Sequence, residues 1–277
     1  MESTALSMEA ARAKLDHLRG LFRDMGSVVV AYSGGLDSAF VLSVAHGVLA
    51  ERALALTAVS PSLPQRERDD AERIARRLGV EHELIGSNEI HNPDYASNPA
   101  NRCFHCKSEL YTITERVRSA RGFAHVANGT NVDDLGDYRP GLEAAKNAGV
   151  RSPLVEANLH KQEVRALAQE LGLDFWDKPA AACLSSRIPY GTAVTPARLS
   201  QVEQLEDALH ALGLRQVRVR YHGELARIEV GQDELERAFA QREAITKAGK
   251  SAGFTFVTLD LAGYRTGSLN QLLRVIP

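Results

Sequence analysis

Apolar positions along the first two thirds of the chain alternate between a helical and a strand rhythm. Leu15, Leu18, Leu21 and Phe22 fall at helical spacing, and the run "SVVVAY" (27–32) that follows reads as a buried strand. "DSAFVLSVAHGVLA" (37–50) predicts a helix and "ALALTAVS" (53–60) a second strand. "PQRERDDAERIARRLG" (64–79) predicts a helix with Pro64 near its start and Gly79 past its end. "EHELIG" (81–86) reads as a third strand. From Cys103 to Arg121 a helix carries Leu110, Ile113 and Val117, "HVANGT" (125–130) is a strand ending at a glycine, and "KQEVRALAQELGL" (161–173) is helical again. Helices of this length between short apolar strands imply an α/β fold, a parallel sheet covered on both faces.

Past about residue 190 the rhythm changes. "TPARLSQVEQLEDALHALG" (195–213) is a helix opened by Thr195 and Pro196, and "QVRVRYH" (216–222) and "LARIEV" (225–230) alternate with period two. A helix from about Asp233 to Lys250 and a last strand, "FTFVTLD" (254–260), follow. The expected organisation is a parallel-sheet domain over 1–190 and a smaller α+β domain over 191–277. The Pro- and Gly-bearing "KPAAACLSSRIPYGT" (178–192) is the expected joint.

Composition narrows the class. The chain has 277 residues, 44% hydrophobic and 25% charged, which is an ordinary globular balance. A net charge of -2 argues against a protein that lives on nucleic-acid phosphates. No apolar stretch approaches the roughly 18 residues of a membrane span, and the N-terminal residues lack the apolar core of a signal peptide. Three cysteines, an odd number, argue against a disulfide-stapled secreted fold. The expectation is a cytoplasmic protein.

One turn carries a chemical signal. "AYSGGLDSAF" (31–40) places Ser33, Gly34, Gly35, Asp37 and Ser38 between a strand and a helix. A Gly-Gly turn lets backbone amides approach an anion with no Cβ in the way. The helix starting near Asp37 adds its positive end, and the serines add hydroxyls. The spacing is neither G-x-x-x-x-G-K-[ST] nor G-x-G-x-x-G. A glycine turn with an aspartate helix cap is the plain alternative. The whole string in this context favours a phosphate cradle.

"SGGLDS" resembles the pyrophosphate-binding loop of the PP-loop, or N-type ATP pyrophosphatase, superfamily. That resemblance implies cleavage of ATP into AMP and pyrophosphate. Ser33, Gly34, Gly35, Asp37 and Ser38 would hold the pyrophosphate, with Asp37 near Mg2+ and catalytic. "NGTNVDDLGDYRPGL" (128–142), "CLSSRIPYGT" (183–192), "VRVRYH" (217–222) and "VTLDLAGYRTG" (257–267) are similar to the LarE-type sulfur transferases, from about residue 8 to the end. These make the thiocarboxylates of the nickel-pincer nucleotide. The resemblance implies an acceptor, pyridinium-3,5-biscarboxylic acid mononucleotide, whose carboxylates are adenylated and then attacked by sulfur. AMP turns a carboxylate oxygen into a good leaving group, so the chemistry is coherent. A homo-oligomer is also expected, with the C-terminal domain serving substrate binding or oligomerisation.

The cysteines are Cys103 and Cys106, in "NRCFHCKSEL", and Cys183, in "PAAACLSS". Single-cysteine members of the family sacrifice the sulfur of a cysteine near the Cys183 position, which makes Cys183 a candidate donor. This chain departs from that pattern by its C-x-x-C. Inert burial, a redox disulfide and a zinc site are alternatives, although His105 between the two cysteines is poorly placed as a zinc ligand. The adopted reading is a [4Fe–4S] cluster on Cys103, Cys106 and Cys183, carrying a sulfide from a donor, because it accounts for every cysteine and resembles a subgroup of the family.

Arg218 and Arg220 alternate with valines, so both face one side of a strand and suit a phosphate, or else a solvated face. Ser186 and Arg187 adjoin Cys183 and could reach AMP or substrate. Asp133, Asp134 and Asp137 follow the fourth strand, as nucleotide contacts or as helix caps. His222, Glu229 and Trp176 carry no strong case. Rival classes are a tRNA thiolase, disfavoured by the net charge, and an amide-forming ligase or nucleotide-binding protein, for which the cysteines would be idle.

Overall fold

The structure is a computed structural model that describes residues 7–136, 140–179 and 181–265; Asp137 lies outside the described residues, as does the end of "VTLDLAGYRTG". The chain divides into two compact units. The first comprises the chain up to Ser60 with Gln65–Glu89 and Cys103–Ala181; the second comprises Pro61–Pro64, Ile90–Arg102 and the chain from Ala182 on.

In the first unit, α1 (Met8–Met25) leads into β1 (Val28–Ala31), α2 (Leu36–Leu49), β2 (Ala53–Val59), α3 (Gln65–Leu78) and β3 (Glu81–Gly86). The four strands, with β4 (His125–Ala127), form a sheet of order β3-β2-β1-β4, parallel throughout. Alternation along the strands sorts side chains between the faces. Val28, Val30, Ala53 and Ala55 pack with α1, α2, α3 and α8 (Lys161–Glu170). Val29, Leu54 and Leu56 pack with Ile113 of α5 (Arg102–Arg121) and Phe123. Each such buried valine, leucine or isoleucine contributes about 1.5–3 kcal/mol, and each alanine less. The expected doubly covered α/β sheet is what the structure contains.

Because β1 to β3 step outward in one direction and β4 returns on the other side of β1, strand order reverses between β1 and β4. Chain leaving those two carboxyl ends diverges there and opens a crevice.

The second unit includes a short α4 (Pro93–Ala96), α9 (Pro196–Ala211), β5 (Val217–His222), β6 (Leu225–Val230), α10 (Leu235–Ala240), α11 (Arg242–Ser251) and β7 (Phe256–Leu259). Its sheet has order β5-β6-β7, antiparallel then parallel. Thr195 caps α9 by accepting from the Arg198 amide at 3.3 Å. The single helix expected over Asp233–Lys250 is two, α10 and α11, parted at Gln241. Residues 61–64 and 90–102 join this unit through buried hydroxyls. Tyr95 Oη lies 2.6 Å from both Ser62 Oγ and Ser185 Oγ, and the Leu184 amide donates to the Ser62 carbonyl at 2.8 Å. Asn98 Nδ2 donates to the Pro189 and Thr192 carbonyls at 2.8 and 2.9 Å. The division of the chain thus falls inside the expected joint, between Ala181 and Ala182, ahead of the 190/191 boundary expected from sequence. Two short helices, α6 (Pro140–Asn147) and α7 (Pro153–Glu156), complete the first unit. Among the described residues no helix is long and apolar enough to cross a membrane.

Candidate active site

The turn after β1 is tightly specified. The Tyr32 amide donates to the Leu56 carbonyl at 2.8 Å, and Tyr32 Oη donates to the Ala71 carbonyl at 3.1 Å. Thr57 Oγ1 donates to the Tyr32 carbonyl at 2.8 Å. Gly34 then takes φ +71°, and a Cβ there would lie 2.8 Å from Cα of Ala71 on α3. Both conformation and space require glycine. Ser38 Oγ, in the first turn of α2, accepts from the Ser33 amide at 3.2 Å and donates to the Gly35 carbonyl at 3.1 Å, with Ser33 Oγ 3.1 Å away. The serine hydroxyls therefore shape the loop. The first-turn amides of α2 have no carbonyl one turn back within the helix, and amides so placed suit an anion.

The second wall comes from the chain after β4. A Cβ on Gly129 would lie 2.6 Å from the Ser38 nitrogen, so this chain touches the start of α2 at the strand-order reversal. Asn128 Oδ1 accepts from the Thr130 amide and from Ser152 Oγ, both at 3.0 Å, which fixes the exit of β4.

Asp37, second residue of α2, has two unlike oxygens. Oδ2 is paired with the ammonium of Lys161, and Oδ1 is buried without a hydrogen-bond partner. A buried carboxylate oxygen with no donor is costly unless something positive reaches it. A divalent cation would supply that charge, so the Asp37 carboxylate suits Mg2+. Asp133 anchors the start of α8: Oδ2 accepts from the Lys161 amide at 2.6 Å, and Oδ1 lies 2.8 Å from His160 Nδ1. The His160 bond, then the Lys161 amide, holds the Asp133 carboxyl below its ordinary range. Asp134 Oδ2 accepts from the Asn131 amide at 3.1 Å, a local cap.

Cys103 and Cys106 are the second and fifth residues of α5, at i, i+3 on one helix face, the former exposed and the latter half-buried. Two thiolates so placed suit adjacent ligands of one metal group. Cys183, half-buried, belongs to the second unit. Among the described residues no three histidine, cysteine, aspartate or glutamate side chains are gathered to hold a metal ion.

Within the second unit, Arg187 is 3% exposed and forms a two-bond pair with Glu206 at 2.9 and 2.8 Å. Its Nη1 donates to the Ala182 and Cys183 carbonyls at 2.6 and 2.9 Å and to Ser186 Oγ at 3.0 Å. Arg187 thereby braces the backbone that presents Cys183 and Ser186. Arg220 is also buried: Nη2 donates to Glu229 at 2.7 Å and Nη1 to the Ser186 carbonyl at 3.0 Å. The solvated-face alternative does not describe it. Arg218 lies over the Tyr264 ring, 5.3 Å from its centroid. Burial, then the charge of nearby Arg187, lowers its guanidinium from its ordinary value.

The sequence singles out neither Lys161, Gly129 nor Glu206, and Glu229 carried no strong case there. Lys161 alone left a signal, since a cation at the first position of a helix opposes the macrodipole and asks for a nearby anion.

The NAD synthase family matches residues 14–128. An uncharacterised protein of Synechocystis sp. is 47% identical over 264 residues, covering 94% of this chain and 98% of that protein. The pyridinium-3,5-bisthiocarboxylic acid mononucleotide synthase of Lactiplantibacillus plantarum is 37% identical over 267 residues, covering 96% and 97%. The NH3-dependent NAD+ synthetase of Chlorobaculum tepidum is 30% identical over 167 residues, 57% of this chain and 58% of that enzyme. The full-length likeness extends through the second unit, whereas the synthetase likeness covers little more than half the chain. The chain belongs to the LarE-type family of PP-loop proteins, and with it to the ATP-using enzymes.

Proposed function

We propose that the protein is an ATP-dependent sulfur transferase acting on the carboxylates of pyridinium-3,5-biscarboxylic acid mononucleotide. The observation that carries this reading is the full-length likeness to the Lactiplantibacillus synthase, and the tight glycine turn at the start of α2 supports it. In the first step a substrate carboxylate oxygen attacks the α-phosphorus of ATP. Pyrophosphate leaves into the amides of Gly34, Gly35 and the first turn of α2, beside Ser33 and Ser38. Asp37 holds Mg2+, which neutralises phosphate charge when bound. In the second step a sulfide nucleophile attacks the carbonyl carbon of the acyl adenylate, and AMP departs with the original oxygen. Arg218 binds the phosphate of the mononucleotide, while Arg220 and Arg187, each paired with a buried glutamate, hold the backbone that sets Ser186 near the acceptor.

The cysteines serve as ligands of the sulfur carrier. Cys103, Cys106 and Cys183 together hold a [4Fe–4S] cluster, which would supply a sulfide renewed from an external donor and leave the protein's own sulfur in place. Supporting this is the i, i+3 pair of thiols on α5 in a chain with one further cysteine.

Anaerobic incubation with ATP, Mg2+, sulfide and the dicarboxylate mononucleotide tests the proposal. AMP, pyrophosphate and a thiocarboxylate are expected, each dependent on the acceptor. ADP and orthophosphate would overturn the adenylation step, and AMP formation indifferent to the acceptor would overturn the substrate. Asp37→Ala is expected to slow adenylation by more than about a hundredfold, since metal-borne charge stabilisation is worth several kcal/mol.

A further inference from the structure

Arg102 is the last residue of the second unit before the chain enters the first, and Cys103 is the next. Arg102 is 4% exposed, and its Nη1 donates to the Ser185 carbonyl at 2.9 Å and to Asn98 Oδ1. Asn98 is fully buried and takes φ +60°, a conformation asparagine tolerates better than most residues. Its side-chain amide holds the Pro189 and Thr192 carbonyls, and its own carbonyl accepts from the Gly191 amide at 3.0 Å. The loop these bonds reach, 182–192, has one short 3-10 turn, Leu184–Arg187, as its regular structure. Carbonyls of such a segment need donors when they leave water, and here side chains supply them. Arg187 and Arg220 hold the carbonyls of 182, 183 and 186, each tied to a glutamate of the second unit. Arg102 differs, because its backbone opens α5, the helix that bears Cys103 and Cys106. One peptide bond and one guanidinium thus connect the backbone of Cys103 to the carbonyl two residues past Cys183. A planar guanidinium donates in fixed directions, so it sets orientation as well as distance.

We propose that Arg102 is a positioning residue for the thiols: by holding the Ser185 carbonyl it keeps Cys183 within reach of the Cys103–Cys106 pair. Asn98 supports it from behind, accepting from the same guanidinium nitrogen and fixing the far half of the loop. Cys183 then joins the other two without the cost of ordering its loop at the moment of binding. This inference rests on the reading of the three cysteines as one ligand set, and it names what brings them together.

Arsenite tests this with neither iron nor turnover. As(OH)3 condenses with thiols, forming one As–S bond and releasing one water for each, so a third thiol tightens its hold. Reduced, iron-free, full-length protein is titrated with arsenite and binding is read from the ultraviolet As–S absorbance. The comparison takes wild type, Arg102→Met, Cys183→Ser and the double variant. Wild type is expected to bind more tightly than Cys183→Ser, which keeps only the pair on α5. Arg102→Met is expected to weaken wild-type binding by at least about tenfold, the scale of a lost charge-assisted bond. In the Cys183→Ser protein the same change is expected to do nothing, because Arg102 acts through Cys183. Equal weakening in both proteins, loss of all binding included, marks Arg102 as scaffold and overturns the proposal. Weakening in neither, with wild type still tighter than Cys183→Ser, removes the role of Arg102 alone. If wild type binds no more tightly than Cys183→Ser, the three-cysteine reading fails and this one falls with it.

Discussion

Gly129 and Ser38 approach so closely that a Cβ on the glycine would lie 2.6 Å from the serine nitrogen. The neighbours are backbone atoms of α2, which cannot swing aside as the end of a flexible side chain would. Gly129→Ala is therefore expected to push the start of α2 away from the crevice. Overpacking of this kind costs about 1–3 kcal/mol, and the displaced amides should weaken pyrophosphate binding at least as much as folding. Gly47, inside α2 with nothing within 4 Å of its Cβ position, is the control. Gly47→Ala should leave affinity unchanged and raise stability by about 0.5–1 kcal/mol. Calorimetric titration with Mg2+–pyrophosphate checks both, and equal affinity in the two variants would return Gly129 to simple packing.

Arg218 and Arg220 call for separate substitutions. Glu229 is 0% exposed and bonded to Arg220, with Arg227 also 3.2 Å away. Removing one partner of a buried pair costs about 3–5 kcal/mol, less here because Arg227 remains. Arg220→Ala should thus lower the unfolding midpoint before any binding effect can be read. Arg218→Ala should fold normally and raise the KM for the acceptor by tenfold or more, on the scale of about 1.5–3 kcal/mol for a charge-assisted bond, while the KM for ATP stays put. An unchanged acceptor KM would give Arg218 a structural role, through its bond to the Val217 carbonyl at 2.7 Å and its contact with Tyr264.

Much of the first unit was legible because its strands and helices are long enough for period to show. Val28 to Val30, the helix from Cys103 and the "SGGLDS" turn follow from local rules. The attachment of residues 61–64 and 90–102 to the second unit was not legible, because it depends on Ser62, Tyr95, Asn98 and Ser185 meeting across long stretches of chain with no periodic signal. Nor does any Gly or Pro mark the break at Gln241 between α10 and α11. In the site, the even spacing of Arg218 and Arg220 gave their shared face. Their different surroundings come from strand register, which sets Arg218 opposite Glu229 and Arg220 opposite Arg227. The Asp37–Lys161 pair spans 124 positions and only the fold could reveal it.

His82 gives the first unit a pH dependence. Thr57 donates its hydroxyl hydrogen to the Tyr32 carbonyl, so His82 Nε2, 2.8 Å from Thr57 Oγ1, is the donor to it. Burial lowers the imidazole pKa from its ordinary 6.5, with Glu72 opposing weakly. The unfolded chain then takes up a proton that the folded one resists, so stability is full above about pH 6.5 and erodes as pH falls below it. The thermal midpoint should drop between pH 7.5 and 5.5, and His82→Gln, which keeps a donor to Thr57, should flatten that slope. His222, also lowered mainly by burial, contributes in the same sense and remains in both proteins, so only the difference is read. Identical slopes would clear His82 of the role.

The cysteines separate two sources of sulfur. If Cys183 gives up its own sulfur, each chain transfers at most one atom, emerges lighter by one hydrogen sulfide with dehydroalanine at 183, and has little need of Cys103 or Cys106. If the three thiolates hold a cluster, they are equivalent. Changing any one to Ser should bleach the brown anaerobic protein and abolish sulfur transfer, because two thiolates hold such a group poorly. Adenylation should survive each change, since β1, the start of α2 and the chain after β4 contain none of the three cysteines, and that survival distinguishes loss of sulfur from loss of fold. Added sulfide should sustain repeated turnover at constant protein mass, and oxygen should end it. Limiting enzyme with excess sulfide, followed by intact-mass measurement, decides the matter. Colourless protein that stops after one sulfur and has lost hydrogen sulfide at Cys183 defeats the cluster. Brown protein that passes one equivalent and keeps its mass defeats the sacrifice.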